Sequence, residues 1–300
     1  VVCVRRAWLT LDGDTVELHD EAAGYFVTEL DLGSPDVREV TNGRPDRHGL
    51  DDRTALFGGR VVSVSISALV GAGAVLDEVA AMFAPYMLPG VRPTLHYVLD
   101  RPGLPERTLV VRAQTYAYKV DDAYQRDVQL AWVAADPVAR DPAATTATAW
   151  AGASSAVAGR SYDLVFDRVY PAGSSAPAPA VIVSPGDVDV LPVIRIYGPI
   201  TEASVRFSDG ADPVGNGSVG LVASYVIPAG AYVEVDCDAR TAYLNGNRQQ
   251  SVLTSLDWLE ISANGWPTIP ARRPTTMSVT GSSTTSATQA VATWNTGYLS

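Results

Sequence analysis

The stretch VEVDCDARTAYLNGNR, residues 233–248, places a thiol, Cys237, between two carboxylates, Asp236 and Asp238. A reactive thiol would need a neighbouring base or cation, and a metal site would need further Cys or His ligands. No other Cys or His lies nearby in sequence, and the second cysteine, Cys3, is in the opposite half of the chain. Without CxxC spacing, both read as free thiols of a protein made in a reducing cytoplasm. The histidines His19, His48 and His96 are scattered and lack metal-ligand spacing. The chain contains no HExxH, no GxSxG and no Walker lysine motif.

Weaker signals have simpler readings. Gly71 and Gly73 form a lone GxG that lacks the third glycine of a dinucleotide fingerprint. DGDTVE, residues 12–17, has the residue types of a calcium loop but not the ligand spacing. Asp187 and Asp189 alternate as a solvated strand edge would. Asn216-Gly217-Ser218 fits a glycosylation sequon, yet PVGNGSVG reads more simply as a turn or mobile loop. With 33 acidic residues, chance carboxylate pairs are inevitable, so a glycosidase pair is not singled out. Neither a catalytic constellation nor a cofactor or metal site is expected.

The totals agree with a folded, non-membrane chain. Three hundred residues suggest two domains, and a 47% hydrophobic share is ample for cores. No apolar run approaches the ~18 residues of a membrane helix. VVCVRRAWLTLDGD lacks the basic and apolar regions of a signal peptide. The net charge is −11, with Lys119 as the single lysine, which disfavours specific binding to nucleic acid.

Strand patterns dominate. AWLTLDGDTVELHD, 7–20, predicts two strands around an Asp-Gly turn. In GRVVSVSISAL, 59–69, Val62, Val64, Ile66 and Ala68 share one face while Ser63, Ser65 and Ser67 share the other. One helix is predicted over AGAVLDEVAAMFAPYM, with a stripe of Val75, Leu76, Val79, Met82 and Phe83, stopped by Pro85, Pro89 and Gly90. PTLHYVL (93–99), ERTLVVRAQTYAYKV (106–120) and RDVQLAWVA (126–134) read as strands, the last with Val128, Leu130 and Trp132 on one face. ADPVARDPAATTATAW, 135–150, reads as an interdomain crossing, and YPAGSSAPAPA, 170–180, as an extended Ala/Pro-rich loop. Beyond it come VLPVIRIYG, ASVRFS, SYVIPAG, AYVEVD, TAYLN and DWLEIS (257–262), all read as short strands of a sandwich.

The opening stretch then resolves as a hairpin. Tyr232, Val233 and Val235 lie on one strand, CDAR makes the turn, Thr241 to Leu244 return, and Asn245-Gly246 ends the unit. AYVEVDCDARTAYLNGNRQ resembles a hairpin of the distal tail protein family of long-tailed, siphovirus-type bacteriophages. VLPVIRIYGPITEASVRFSDG is similar to the strand pair that opens the core of that family's C-terminal domain. GRVVSVSISAL, the helix, PTLHYVL and VQLAWVAADPVARD resemble its ring-forming domain, whose closing strand exits through an Asp-Pro, here Asp136-Pro137. The likeness runs from about residue 5 to 265. The tail after Trp266 is Ser/Thr-rich and departs from it, ending in a strand-like run from Val291 to Leu299.

The resemblance implies a mostly β chain: a ring-forming N-terminal β domain with one packed helix at 1–140, and a galectin-like C-terminal β-sandwich at 141–300. It implies a structural role and no enzyme. Six copies would form a ring at the distal end of the virion tail, assembled in the host cytoplasm. The ring would join the tail tube protein to the tail tip or baseplate hub, around the tape-measure protein. Ser63, Ser65 and Ser67 are then the candidate ring-interface or lumen residues. The alternative is a lectin-like module for host adsorption, which would stack a cell-surface glycan on Trp258, Trp266 or Trp294.

Overall fold

The computed structural model describes residues 4–35, 37–38, 41–43, 50–52, 56–69, 75–101, 103–120, 125–152, 177–209 and 216–299. The chain divides into two compact units, one of residues 1–142 with 298–300, the other of residues 143–297. Each is mostly β.

In the first unit the strands are β1 (Val4–Leu11), β2 (Asp14–Glu17), β3 (Tyr25–Asp31), β4 (Val37–Arg38), β5 (Thr41–Gly43), β6 (Leu50–Asp52), β7 (Leu56–Phe57), β8 (Arg60–Leu69), β9 (Thr94–Leu99), β10 (Arg107–Val110), β11 (Arg112–Val120), β12 (Gln125–Ala134) and β13 (Ala139–Arg140). The β1–β2 hairpin turns through Asp12 and Gly13, both at positive φ (51° and 95°), as a tight right-twisted hairpin requires. β12 pairs β8 along its whole length, so Val62, Val64 and Ile66 enter the core opposite Trp132, Leu130 and Val128 respectively. These strands, flanked by β11 and β3, form a four-stranded sheet. A six-stranded sheet runs in the order β2-β1-β9-β10-β13 and ends on β24 (Gly297–Tyr298). Leu9, Leu95, Tyr97 and Leu109 supply its core face.

The helix α1 (Val75–Phe83) buries Val79 and Phe83, with the Tyr25 ring edge-on to Phe83 at 6.4 Å. Met82 stays partly exposed, and the side chains of Val75 and Leu76 lie outside the described residues. The helix tightens into a 3-10 turn at Ala84–Met87, with Pro85 near its start. Pro85 cannot donate the backbone bond that a continued α-helix needs. The sequence 106–120, expected as one strand, is two: it leaves the six-stranded sheet at Val110 and joins the four-stranded one at Arg112. Val111 is the buried corner, its N–H donated to Pro93 O.

The second unit holds β14 (Thr145–Trp150), β15 (Ala180–Val183), β16 (Val193–Tyr197), β17 (Ile200–Ser208), β18 (Ser218–Gly220), β19 (Val226–Ile227), β20 (Tyr232–Asp236), β21 (Thr241–Leu244), β22 (Pro274–Ser282) and β23 (Gln289–Trp294). One antiparallel sheet runs β14-β23-β16-β20-β21, the other β15-β22-β17-β18, with β19 against β17. Ile194, Ile196, Val233, Val235 and Trp294 from the first share a core with Ile182, Val205, Phe207 and Met277 from the second. The Ser/Thr-rich tail is not peripheral here. β22 and β23 are interior strands, burying Thr275, Met277 and Val279, and Ala290, Ala292 and Trp294. The run expected from Val291 to Leu299 is divided between β23 and β24. The crossing 135–150 likewise contains β13 and β14, and most of the Ala/Pro-rich loop lies outside the described residues.

DWLEIS is a helix, not a strand. α2 (Trp258–Asn264) starts at Asp257, whose Oδ1 accepts the N–H groups of Leu259 and Glu260 at 3.0 and 3.2 Å. It ends at Gly265, at φ 79°, whose N–H bonds Ile261 O at 2.8 Å. Caps at both ends fix a short helix where a strand was expected. Replacing Asp257 with Ala should therefore lower unfolding free energy in urea by about 1 kcal/mol, and Asp257→Ser should restore most of it. An unchanged midpoint in Asp257→Ala would contradict this cap assignment.

Candidate functional site

Cys237 follows β20 and lies in the sandwich core at 1% exposure. Asp236 Oδ1 accepts the N–H groups of Asp238 and Ala239 at 3.0 and 2.9 Å, closing the turn that returns as β21. Asn245 Oδ1 accepts the N–H of Tyr232 at 2.9 Å and fastens the far end of the hairpin. The flanking acids therefore build a turn, while burial first, then Asp236 and Asp238, push the thiol far above its ordinary value of 9.0. A protonated, covered thiol is neither nucleophile nor ligand. Cys3 and His48 lie outside the described residues. Among the described residues, no group of three or more His, Cys, Asp or Glu side chains is placed to hold a metal.

A polar constellation that the sequence did not reveal lies on the outward face of the six-stranded sheet. With its proton on Nδ1, His96 donates to Glu106 Oε1 at 2.7 Å, while Nε2 accepts the Thr10 hydroxyl at 2.9 Å. Trp8 stacks on the imidazole with ring centroids 5.2 Å apart, and the Arg6 guanidinium lies 4.6 Å from the centre of the Trp8 ring. Arg6 also pairs with Glu17 on β2. Register explains the assembly: Trp8 is opposite both His96 and Glu17, and His96 is opposite Thr108. Hydroxyl, imidazole and carboxylate are arranged as in a nucleophilic triad. Thr10, however, is the penultimate residue of β1, held in the ladder by Thr15 and Thr94 on the paired strands. The surrounding backbone N–H groups belong to ladders and form no cradle for an oxyanion. The constellation is a rigid aromatic and charged platform of the composition that anchors protein contacts.

The serine row divides by depth. Ser63 is exposed, Ser65 is half-buried, and Ser67 is buried at 1%. On β3 the exposed Asp31 is opposite Ser63 and the exposed Glu29 opposite Ser65. Exposed Gln129 on β12 is also opposite Ser65. The outward face of this sheet is thus polar and acidic. A cleft of about 730 Å³ lies beside it, lined by residues that include Arg5, Arg6, His19, Glu29 and Asp31.

The three tryptophans do not come together. Trp258 is 47% exposed and meets the half-buried Trp266 edge-on at 6.0 Å, whereas Trp294 is in the core at 4% exposure. Asp187 and Asp189 are structural: Asp187 pairs with Arg272, and Asp189 Oδ1 accepts the Ala271 N–H at 2.8 Å. Asn216 is half-buried and donates to Thr275 Oγ1 at 3.1 Å, and Gly217, at φ 94°, lets the chain pass against Trp266 O, where a Cβ would lie 2.2 Å away. No described helix is long and apolar enough to cross a membrane.

For Cys237 the geometry predicts no reaction with a thiol reagent in the native state and stoichiometric reaction in denaturant. The folded thiol titrates above the unfolded one, so its contribution to stability is complete below about pH 9 and is lost as pH rises further. Cys237→Ala should flatten the alkaline decline measured by urea melts between about pH 8 and 11.

No family model and no curated protein matches the chain. Among solved structures, the crystal structure of the SPP1 Dit (gp 19.1) protein, described as a paradigm of the hub adsorption apparatus in phages that infect Gram-positive bacteria, superposes with a TM-score of 0.64 at 14% identity. The match covers 97% of this chain and 98% of that one. Chains of the phage p2 baseplate in its activated conformation, with Sr and with Ca, give TM-scores of 0.43 and 0.40 at 11% and 10% identity. They cover 96% of this chain and 97% of each of theirs. At that level a likeness does not establish a shared fold. The SPP1 Dit match does: across nearly its whole length, this chain has the fold of a phage hub protein.

Proposed function

We propose that this chain is a structural distal tail protein of a siphovirus-type phage. Six copies form a ring that joins the tail tube to the tail tip or baseplate hub, around the tape-measure protein. The observation that carries the reading is the likeness to SPP1 Dit over 97% of this chain and 98% of that one, which leaves neither chain with a large unmatched part. The ordered series of sequence resemblances supports it independently.

A closed ring needs two different surfaces on each copy that fit one another. The first unit offers two faces of distinct chemistry. One is the Arg6, Trp8 and His96 platform of the six-stranded sheet. The other is the acidic face of Glu29, Asp31, Ser63, Ser65 and Gln129 on the four-stranded sheet. In this proposal the platform belongs to one of the contact surfaces between copies, whereas the acidic face lines the lumen, where it repels DNA in transit.

A second reading draws on Trp258. Its half-exposed ring beside Trp266 is an aromatic surface on which a host glycan could stack, making the second unit an adsorption module. Glycan-array binding abolished by Trp258→Ala would favour it. Silence across host glycans would leave the ring reading alone.

Electron microscopy of the concentrated protein, with mass measurement in solution, should show six-fold rings with a central hole, formed alone or with tail tube and hub proteins. A strict monomer in both settings would overturn the ring. Rings of Glu29→Arg/Asp31→Arg should still close but retain DNA in a mobility-shift assay, whereas the parent rings release it. Loss of closure in that variant would move these residues from the lumen to the interface.

A further inference from the structure

The core of the first unit contains an unusual polar group. Arg60, at 1% exposure, enters from the start of β8, and Arg107, at 4%, from the start of β10. Tyr97, fully buried on β9, is directly opposite Arg107. Trp132, fully buried on β12, is opposite Val62, two positions from the Arg60–Ala134 pair. On one sheet face such diagonal neighbours are within reach of long side chains. The groups from the two sheets are also electrostatically close. Burial pushes the Tyr97 phenol up and both guanidiniums draw it back, while burial lowers Arg60, which feels Tyr97, Asp136 and Arg107 in turn.

Every polar atom contributed here by Arg60, Tyr97 and Trp132 can donate, and two of the three groups can only donate. The Arg60 guanidinium donates through one Nη to Pro137 O. Its Nε, the Tyr97 hydroxyl and the Trp132 indole N–H are each buried without an acceptor among the described residues. The carboxylate that acts on Arg60, Asp136, is about half exposed (52%) and is bonded to Arg140 and to the Val138 N–H. The Arg107 guanidinium packs 4.1 Å from the centre of the Tyr298 ring.

We propose that a single small inorganic anion of halide size is held between the two sheets of this unit by Arg60 Nε, the Tyr97 hydroxyl and the Trp132 indole N–H. Buried donors without acceptors are costly, and a buried cation needs a counter-charge. An anion answers both requirements, whereas a water answers only the first. A halide suits the place because it is a single atom that accepts from several directions at once. The same ion would fasten the path of the chain: Arg60 holds Pro137 at the exit from β12, and Arg107 holds Tyr298 of β24.

The test uses the full chain, with bromide as the probe. Crystals soaked in bromide should give an anomalous peak among those three donors. The peak should weaken in Tyr97→Phe, which removes one donor but keeps both charges. In solution, exchanging gluconate for chloride at constant ionic strength should raise the melting temperature by a few degrees, and Arg60→Met should abolish the rise. Because Arg60→Met removes a buried side chain and can compromise folding, the Tyr97→Phe map stands as the second measure. Density without anomalous signal would assign the place to water and overturn the proposal. A bromide peak with no chloride dependence in solution would mean an adventitious ion only, and would overturn it equally.

Discussion

The first unit depends on the ladder between β8 and β12. Its backbone pairs run without interruption from Arg60–Ala134 to Leu69–Gln125. A period of two allows no compromise in such a ladder: a slip of one residue would turn Val62, Val64 and Ile66 outward and drive serines into the core. The inward row buries those residues against Val128, Leu130 and Trp132, and ends in Arg60, whose polar group must be satisfied inside. The outward row carries Ser63 and Ser65 beside Asp31 and Glu29 on the neighbouring strand. Core, acidic face and buried arginine are therefore consequences of one register.

Much of this was legible in the sequence because it is local. Alternation in GRVVSVSISAL and RDVQLAWVA, the Asp-Gly turn and the 232–246 hairpin each carry their signal within a dozen residues. DWLEIS failed for a local reason that was equally visible. Asp257 with Glu260 three residues later is a helix-start pattern, and Gly265 is a stop. Six residues of mixed polarity allowed a strand only while those caps were ignored. The division of 106–120 at Val111 was not legible, because nothing in TLVVRAQ marks a change of sheet. The β22 strand was obscured by Ser and Thr, whose methyl-bearing or small side chains fit a pleated surface as well as aliphatics do, while β23 was legible from Val291 onward.

The sites were much less legible than the elements. Cys237 could be dismissed from its lack of neighbours, and its burial gives the physical basis. The Thr10, His96 and Glu106 group could not be found, since its members come from β1, β9 and the segment before β10, and only the register brings them together. Arg60 and Arg107 were equally hidden. In a sequence, an arginine next to valines reads as a surface cation, and only the sheet pairing shows that both point inward.

The contrast between the two polar groups bears on what kind of protein this is. The His96 platform is partly exposed and internally satisfied, with each nitrogen of the imidazole bonded, the imidazole stacked on Trp8 and the Arg6 guanidinium over the Trp8 ring. Such a surface loses little conformational freedom when covered, which favours adhesion over turnover. The Arg60 group is enclosed and carries donors that no acceptor among the described residues matches. It can act only on the structure around it, at the point where the chain leaves β12 and where Tyr298 packs on Arg107. Order at that point determines how firmly β13 and β24 close the six-stranded sheet. In the proposed ring, a sheet closed in that way would present the Arg6, Trp8 and His96 platform to its neighbours in a fixed geometry.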